Sequence, residues 1–428
     1  LVKKLIYLKI DSKIRNPLLL ILFSSIFYVI IGIVFGHIEN YNNLNHLVGD
    51  SLPYLEAGKQ LCNEGSFHFC RPSGISMYFG FPNFFTNDDF LVIKLILVTQ
   101  FFTWLFSILV LYKIFKIFVS RKSSFILTLI FLFFLSNCIY SFYILSETFF
   151  SFLLISFFYF FIKYIRDGKS KYLIFNISIL SIAILTRPIL LYFGFALIIV
   201  LLIKNIFSKK NIKNTYYLLF IPITIIGIQL LGMYNTHEHI GITTGSSNRI
   251  IVLMGGLANS LKNNSDVKEE IYLWMKKQQK IINEKNVSVE KASKILLFKE
   301  LKTDQFYYLK AYFISLKYNI TGACFMGKTK VENYITKIQN IISNSVLLLI
   351  FILLLLKFSL KKIDYDERIF LLITLLTMCF YLIFLGGLFY WQGDRYQLPT
   401  YPLILISLAI YINLHSKNEI RNSNTSIK

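Results

Sequence analysis

Four charged side chains stand at the edges of apolar segments, where a charge is costly to keep. They are Asp50, Glu147, Arg187 and Arg395. A charged residue within a membrane span costs about 2.5–3.5 kcal/mol on insertion scales, so such residues usually line a polar cavity. A carboxylate that accepts a proton, beside guanidinium groups that hold a phosphate, suits transfer of a group away from a phosphate leaving group. The alternative is that each is an ordinary interfacial or loop charge.

The elements that must position these residues are long apolar segments. Of the 428 residues, 55% are hydrophobic and 16% are charged, whereas a soluble domain averages about 25% charged residues. Roughly ten segments approach the ~20 residues that cross a membrane. The sequence predicts an all-α polytopic membrane protein, with Phe-rich stripes facing lipid. The predicted spans are 17–38, 90–112, 124–140, 146–165, 172–186, 188–206, 216–234, 340–360, 369–390 and 397–414.

Lys and Arg residues are distributed asymmetrically between the connections. One alternating set of short connections, which includes both termini, is rich in them, whereas the opposite short connections contain only Lys59, Arg71, Arg187 and Arg395. The positive-inside rule then places both termini in the cytoplasm and the candidate residues outside, in a plasma-membrane protein. The net charge of +22 is thus a topological signal plus one polar loop, and nucleic acid is not an expected partner. The first span is expected to be an uncleaved signal anchor.

Short helices are predicted in the two polar segments, and the chain divides into three parts. The first loop should contain a short helix, capped by Asp50 or Ser51 and with Pro53 in its first turn. Helical patches are predicted at Glu269–Lys280 and Ala292–Lys310. The parts are an N-terminal transmembrane module, 1–234, with its outer loop 39–89; an extracytoplasmic helical domain, 235–339; and the C-terminal transmembrane helices with a cytoplasmic tail, 340–428.

Cysteines and possible metal ligands give weaker signals. Cys62 and Cys70 both lie in the outer loop, where a disulfide is one expectation and two free thiols the alternative. The segment His237-Glu238-His239 has no further evident ligand, so an ordinary polar loop is favoured over a metal site. No cofactor is predicted, and a divalent metal is left open.

The order of short motifs resembles the GT-C superfamily of integral membrane glycosyltransferases, in particular its protein-mannosyltransferase-like and lipid A aminoarabinose-transferase-like group. The first motif is Asp50-x-x-x-Tyr54-x-x-Ala57. It is followed in order by Arg71-Pro72-Ser73-Gly74, Leu145-Ser146-Glu147, Leu185-Thr186-Arg187-Pro188 and Asp394-Arg395-Tyr396-Gln397-Leu398-Pro399-x-x-Pro402. The resemblance covers about residues 17–414, except that 235–339 matches nothing in particular.

This resemblance implies a role for each matched residue. Asp50 corresponds to the acid that acts as general base toward the acceptor hydroxyl, and the donor is a polyprenyl-phosphate-linked sugar. The arginines would hold the donor phosphate, and displacement by one activated hydroxyl would invert the anomeric centre. Ser51 replaces the second acid of the protein mannosyltransferases, and Ser73 replaces a Pro. The phosphate-binding residues would be Arg71, Arg187 and Arg395, and the supporting ones Tyr54, Glu147 and Tyr396.

Other interpretations stay open. Asp88-Asp89 is an alternative acid pair, although capping of the following helix is favoured. An O-antigen or capsule polymerase would also have about ten spans and an outer loop with arginines. A lipid-linked sugar transporter or flippase is less favoured, because transporters usually carry charges at mid-membrane and have repeated spans. The sequence predicts an extracytoplasmic acceptor and contact with membrane lipids, but neither the sugar nor the acceptor's identity.

Overall fold

A computed structural model describes residues 12–41, 50–208, 212–243, 246–324, 326–359, 366–389 and 393–425. Within these residues all regular secondary structure is helical, in agreement with the predicted all-α class. The physical reason is that an α-helix satisfies its backbone hydrogen bonds internally, as an apolar segment in a membrane must.

The described residues form sixteen α-helices, joined in places by short 3-10 turns. In chain order the first eight are α1 (Ser12–Val34), α2 (Ser51–Glu64), α3 (Ser73–Gly80), α4 (Asp89–Phe118), α5 (Arg121–Leu132), α6 (Leu135–Ile139), α7 (Ser146–Asp167) and α8 (Ser170–Thr186). The others are α9 (Leu191–Ser208), α10 (Ile212–His237), α11 (Ser246–Asn263), α12 (Val267–Lys285), α13 (Val289–Thr321), α14 (Lys330–Ser359), α15 (Glu367–Gly386) and α16 (Thr400–Thr425).

Seven helical segments in the described chain are long and apolar enough to cross a membrane. An eighth candidate is the pair Arg121–Leu132 and Leu135–Phe142, which is bent by 67°. Two further apolar helices, Ser170–Thr186 and Thr400–His415, are shorter. Each predicted span overlaps a helix, except that 124–140 covers the bent pair α5 and α6. A 3-10 turn, Pro188–Leu190, separates α8 from α9. The seven spans are Ile14–Val34, Asp89–Phe118, Ser146–Asp167, Pro188–Ile206, Asn214–His237, Lys330–Lys357 and Glu367–Gly386.

Helix α7 lies at the centre of the membrane part. Its apolar window is 72% buried, compared with 28% for that of α1, and it packs against α4 and α8. Phe150, Phe157, Phe158 and Phe161 are fully buried along it. The expectation that Phe-rich stripes face lipid is wrong for this helix, because neighbouring helices enclose it. The most enclosed of the seven candidate spans thus begins at Ser146-Glu147, beside the candidate residues.

The polar segment before α14 forms a small three-helix unit. Helices α11, α12 and α13 pack on one another, and the predicted helical patches lie within α12 and α13. A Cβ on Gly255 would lie 2.2 Å from Nε1 of Trp274, so only glycine permits this approach of α11 to α12. The core around it contains Met254, Leu257 and Tyr308. This unit has its own apolar core beside that of the membrane part.

Candidate active site

Asp50 immediately precedes α2, where a side chain would ordinarily cap the helix. Its carboxylate makes no capping hydrogen bond with the described backbone of α2. Instead Oδ1 accepts a hydrogen bond from Nη2 of Arg71 at 2.9 Å, and Oδ2 pairs with Nη1 of Arg395 at 2.9 Å. Ser51 donates its hydroxyl to the Ile144 carbonyl at 3.1 Å. The predicted side-chain cap from Asp50 or Ser51 is therefore wrong, and the Asp50 carboxylate is directed toward guanidinium groups.

Glu147 lies in the first turn of α7 and is fully buried. Its Oε1 accepts a hydrogen bond from Nη2 of Arg187 at 2.5 Å, and a second one from Nε of Arg395. Arg187 directly follows α8, and Arg395 precedes α16. One carboxylate oxygen thus holds two guanidinium groups that come from helices far apart in the sequence.

These contacts join five side chains into one group, which we call the arginine–carboxylate cluster: Asp50, Arg71, Glu147, Arg187 and Arg395. The exposed fractions of the side chains range from 0% for Glu147 to 18% for Arg71. Within this group three guanidinium groups face two carboxylates, and the fully buried carboxylate of Asp394 is next to Arg395 in the sequence. Within the described chain, Nε of Arg71 and Oε2 of Glu147 are buried without a hydrogen-bond partner. A surplus of buried guanidinium donors suits an anionic ligand.

Tyr54 and Ser146 support two of the arginines. The Arg71 guanidinium carbon lies 4.3 Å from the centre of the Tyr54 ring, a cation–π arrangement. The Tyr54 hydroxyl donates to Oγ of Ser146 at 3.2 Å, and Nε of Arg187 donates to the same oxygen at 3.1 Å. Tyr54 thus links Arg71 to Arg187 through Ser146.

Glycines allow α3 to lie close to both α2 and α8 beside the cluster. A Cβ on Gly58 would lie 2.7 Å from the amide nitrogen of Gly80, so the two backbones touch. Gly74 similarly faces the carbonyl of Leu185 at the end of α8, where a Cβ would lie 2.9 Å away. These contacts fix the loop that carries Asp50 and Arg71 against the helix that precedes Arg187.

The segment that enters α7 is held by hydrogen bonds to its carbonyl groups. The buried amide of Gln100 donates to the carbonyls of Tyr143 at 3.1 Å and Leu145 at 2.9 Å. Leu145 provides no side-chain cap, and Glu147 stands at the helix N-terminus, where a negative charge is favoured. The position of Glu147 therefore depends on contacts from α4 as well as on its own helix.

Arg395 is positioned by a 3-10 turn, Gly393–Tyr396. The neighbouring Asp394 is fully buried and accepts a hydrogen bond from the Tyr140 hydroxyl at 2.9 Å. Its amide donates to the carbonyl of Ala323 at 3.2 Å. The predicted supporting role of Tyr396 falls on a side chain outside the described part of the structure.

His68 lies in the same loop as Arg71, which influences its pKa. The Cys70 amide donates to Nδ1 of this ring at 3.1 Å. Burial, and then the positive charge of Arg71, lowers the pKa of His68. The lowered pKa favours the neutral imidazole, mainly because the ring is partly buried.

Cys62 and Cys70 are free, half-buried thiols, so the disulfide expected between them is not formed. The Cys62 sulfur faces α3, 2.5 Å from where a Cβ on Gly80 would lie. Cys70 is held in a different turn through its amide bond to His68. Burial raises the pKa of both thiols. The structure therefore agrees with the alternative of two free thiols.

The remaining candidate acids have structural roles. Asp88 accepts a hydrogen bond from the Phe90 amide at 2.9 Å and caps α4, which confirms the favoured interpretation. Asp89 pairs with Lys59 at 3.2 Å on the surface. Among the described residues, no group of three or more His, Cys, Asp or Glu could hold a metal ion, the His237–His239 segment included.

A buried pair that sequence reasoning missed lies between His37 and Glu332. Nε2 of His37 is 2.5 Å from Oε1 of Glu332, and both side chains are fully buried. The other ring nitrogen is 3.0 Å from the Tyr143 hydroxyl, in the segment that enters α7. The Thr329-x-x-Glu332 spacing is a capping-box signature that could have indicated the start of α14, and both reciprocal hydrogen bonds are present.

Comparison of the chain with protein-family models and with curated protein sequences gives no match. The interpretation of the arginine–carboxylate cluster therefore depends on its geometry and on the motif order.

Proposed function

We propose that the protein is a membrane glycosyltransferase that moves a sugar from a polyprenyl-phosphate donor to an extracytoplasmic acceptor. Asp50 acts as the general base, and Arg71, Arg187 and Arg395 bind the donor phosphate. The observation that supports this most directly is the surplus of buried guanidinium groups around a carboxylate that caps no described backbone. Guanidinium groups bind phosphate oxygens in a planar, two-point manner.

The reaction balances with the residues of the cluster. An acceptor hydroxyl gives its proton to Asp50, and its oxygen forms a bond to the anomeric carbon of the sugar. The bond between that carbon and the phosphate oxygen breaks, and the electron pair leaves with polyprenyl phosphate. The arginines stabilise the charge that develops on this phosphate. A single displacement inverts the anomeric centre.

Glu147 and Tyr54 have positioning roles in this proposal. Glu147 holds Arg187 and Arg395 in one orientation, and Tyr54 supports Arg71 from its ring face. The charges lie at helix ends and not along the middle of spans, which favours a transferase over a transporter.

The proposed topology has about ten transmembrane helices in the plasma membrane, with both termini in the cytoplasm. Residues 39–89 and 235–339 would lie outside, together with the cluster. The basic connections on the opposite face support this orientation.

Impermeant maleimide labelling of intact cells tests this topology. In a chain with Cys62→Ser and Cys70→Ser, Lys276→Cys on α12 should react and Lys122→Cys on α5 should not. Both native lysines are exposed, so access to the reagent decides the result. Labelling of Lys122→Cys alone would place the cluster in the cytoplasm.

Asp50→Asn tests the general base. Because an amide cannot accept the hydroxyl proton, transfer should fall by about 10²–10⁴-fold. Binding of the polyprenyl-phosphate-sugar should persist, since the arginines stay in place and one competing negative charge is removed. Both quantities are measured on the purified variant.

Asp89→Asn is the matched control, because Asp89 is an exposed acid of the same loop that pairs only weakly, with Lys59. It should leave transfer unchanged. Wild-type transfer by Asp50→Asn would remove the general-base role.

A further inference from the structure

Helix α13 changes direction at Asp304, whose backbone is non-helical with φ −126° and ψ 26°. The half before this kink lies in the three-helix unit, and the half after it, residues 305–321, packs on that unit through Tyr308 and Ala311 and also contacts the membrane part. The Tyr312 hydroxyl donates to the Phe384 carbonyl at 2.9 Å, and the Asn319 amide donates to the carbonyl of Phe389 at 3.0 Å. Phe384 lies near the end of the candidate span Glu367–Gly386. The second half of α13 therefore lies at the level where this span ends.

The same contacts place this half-helix beside the end of α15. Eight residues of helix, from 312 to 319, span about 10 Å, and both ends bond to the short stretch 384–389. The half-helix therefore lies against the segment in which α15 ends, at the level of a membrane boundary drawn there.

The two faces of this half-helix differ in composition. Tyr308, Ala311 and Ser315 are buried against the protein. On the opposite face Phe306, Leu309 and Phe313 have exposed fractions of 69%, 57% and 57%. Lys310 and Lys317 are exposed on that same face, at helical spacing from these apolar residues, and Lys302 is exposed just before the kink. An exposed apolar stripe with lysines beside it is typical of a helix that lies in a membrane interface.

The apolar stripe continues the exposed apolar surface of the neighbouring spans. Leu309 and Phe313 flank Tyr312, which contacts α15 where Phe384 is 53% exposed. Helix α14, also a candidate span, exposes apolar side chains from its first turns onward: Val331, Tyr334, Ile338, Ile341 and Ile342. The stripe thus lies near the exposed apolar side chains of two candidate spans.

We propose that residues 305–321 form an interfacial helix that binds the membrane surface on the side of the arginine–carboxylate cluster. Phe306, Leu309 and Phe313 insert at the boundary of head groups and acyl chains. Lys302, Lys310 and Lys317 bind anionic phospholipid head groups, each with up to about fivefold enrichment. This assignment is independent of the proposed sugar transfer.

Site-specific fluorescence in lipid nanodiscs tests the insertion. The full chain with Cys62→Ser and Cys70→Ser receives an environment-sensitive nitrobenzoxadiazole probe at Leu309→Cys, or at Met275→Cys as control. Met275 is 51% exposed on α12, a helix of the three-helix unit. Lipids with a nitroxide near the head group should quench the Leu309 probe at least about threefold more strongly than the control. Equal quenching at the two positions would overturn the proposal.

The lipid charge is tested with nitroxide-labelled phosphatidylglycerol compared with labelled phosphatidylcholine. The anionic lipid should quench the Leu309 probe several-fold more, and Lys302→Gln, Lys310→Gln and Lys317→Gln together should abolish that preference. Should the triple variant not fold, as judged by circular dichroism, Lys310→Gln alone should reduce it. If the Leu309 probe is shielded from water only in nanodiscs that hold two copies of the protein, a second chain and not lipid covers the apolar stripe. That result would overturn the proposal.

Discussion

Glu147 in the membrane part and Glu300 in the three-helix unit are both buried carboxylates, but their partners differ in kind. Glu300 accepts hydrogen bonds from Trp274 at 3.0 Å and Tyr308 at 2.6 Å. Among the described residues, the charged group that pairs with it is that of the half-exposed Lys277, at 3.3 Å. The carboxylate and its donors all come from neighbouring helices of one unit. Glu300 is thus a structural group whose negative charge is matched locally.

Glu147 is surrounded by charge from distant segments. Two guanidinium groups share one of its oxygens, and one of them, that of Arg395, also pairs with Asp50. Burial of several charges in one place is costly, so a protein that keeps them usually does so at a functional site. A buried carboxylate by itself therefore indicates little, whereas several charged partners from distant segments distinguish a site from a structural network.

Glu147→Gln should produce the largest difference between the two regions. Without the negative charge, Arg187 and Arg395 lose the group that fixes their orientation, and a misplacement of about 1 Å can reduce a rate by about 10²-fold. Transfer from a polyprenyl-phosphate-sugar by the purified variant measures this loss. Glu147→Asp, which keeps the charge, should retain more activity than Glu147→Gln. Equal activity of the two variants would show that the charge has no positioning role.

Arg187→Lys and Arg395→Lys should have the next largest effect. Lysine keeps the charge but not the planar two-point contact, and loss of one charged hydrogen bond costs about 1.5–3 kcal/mol. Donor affinity should fall about tenfold or more for each variant, as measured by titration of the lipid donor.

A matched control exists in the three-helix unit. Lys262 pairs with Asp304 at 2.9 Å and is 45% exposed, so Lys262→Arg should leave donor affinity unchanged. If the two site variants bind donor like the wild type, the arginines do not hold its phosphate.

Glu300→Gln should have a smaller effect, and on stability alone. The new amide nitrogen is a donor facing Trp274 and Tyr308, which are donors too, so about 1–3 kcal/mol of stability should be lost. The unfolding midpoint in detergent should decrease while transfer per folded molecule stays constant. A loss of transfer without a loss of stability would instead make Glu300 part of a second site.

The helical class and much of the cluster could be predicted because both depend on local properties. An apolar segment near 20 residues long predicts a helix wherever it occurs, and a charge beside it is notable for its cost. Asp50, Arg71, Glu147, Arg187 and Arg395 were all identified in this way or through motif order, and the structure brings them together. Their pairing could not be predicted, because the sequence does not show that α7, α8 and α16 meet at one end.

The bend between α5 and α6 shows why other features could not be predicted. Residues 121–142 contain neither Gly nor Pro, so no local signal breaks the helix there. The side chain of Gln339 accepts from the Leu135 amide at 2.9 Å and donates to the Phe133 carbonyl at 2.6 Å. A residue about two hundred positions away thus satisfies the backbone at the break. Glu332, also distant in the sequence, similarly pairs with the side chain of His37. Such long-range compensation leaves no trace in local patterns.

The pairing of Asp50 with Arg71 and Arg395 affects the order in which charges change during transfer. The phosphodiester of the proposed donor carries one negative charge, and the phosphate monoester that leaves carries about −1.5 to −2 at pH 7. Asp50 becomes neutral as it takes the acceptor proton, and its attraction to the arginines falls at that moment. The guanidinium groups can then turn from the acid to the departing phosphate, so the charge that surrounds them stays nearly constant. One set of ion pairs would thereby couple deprotonation of the acceptor to departure of the lipid phosphate.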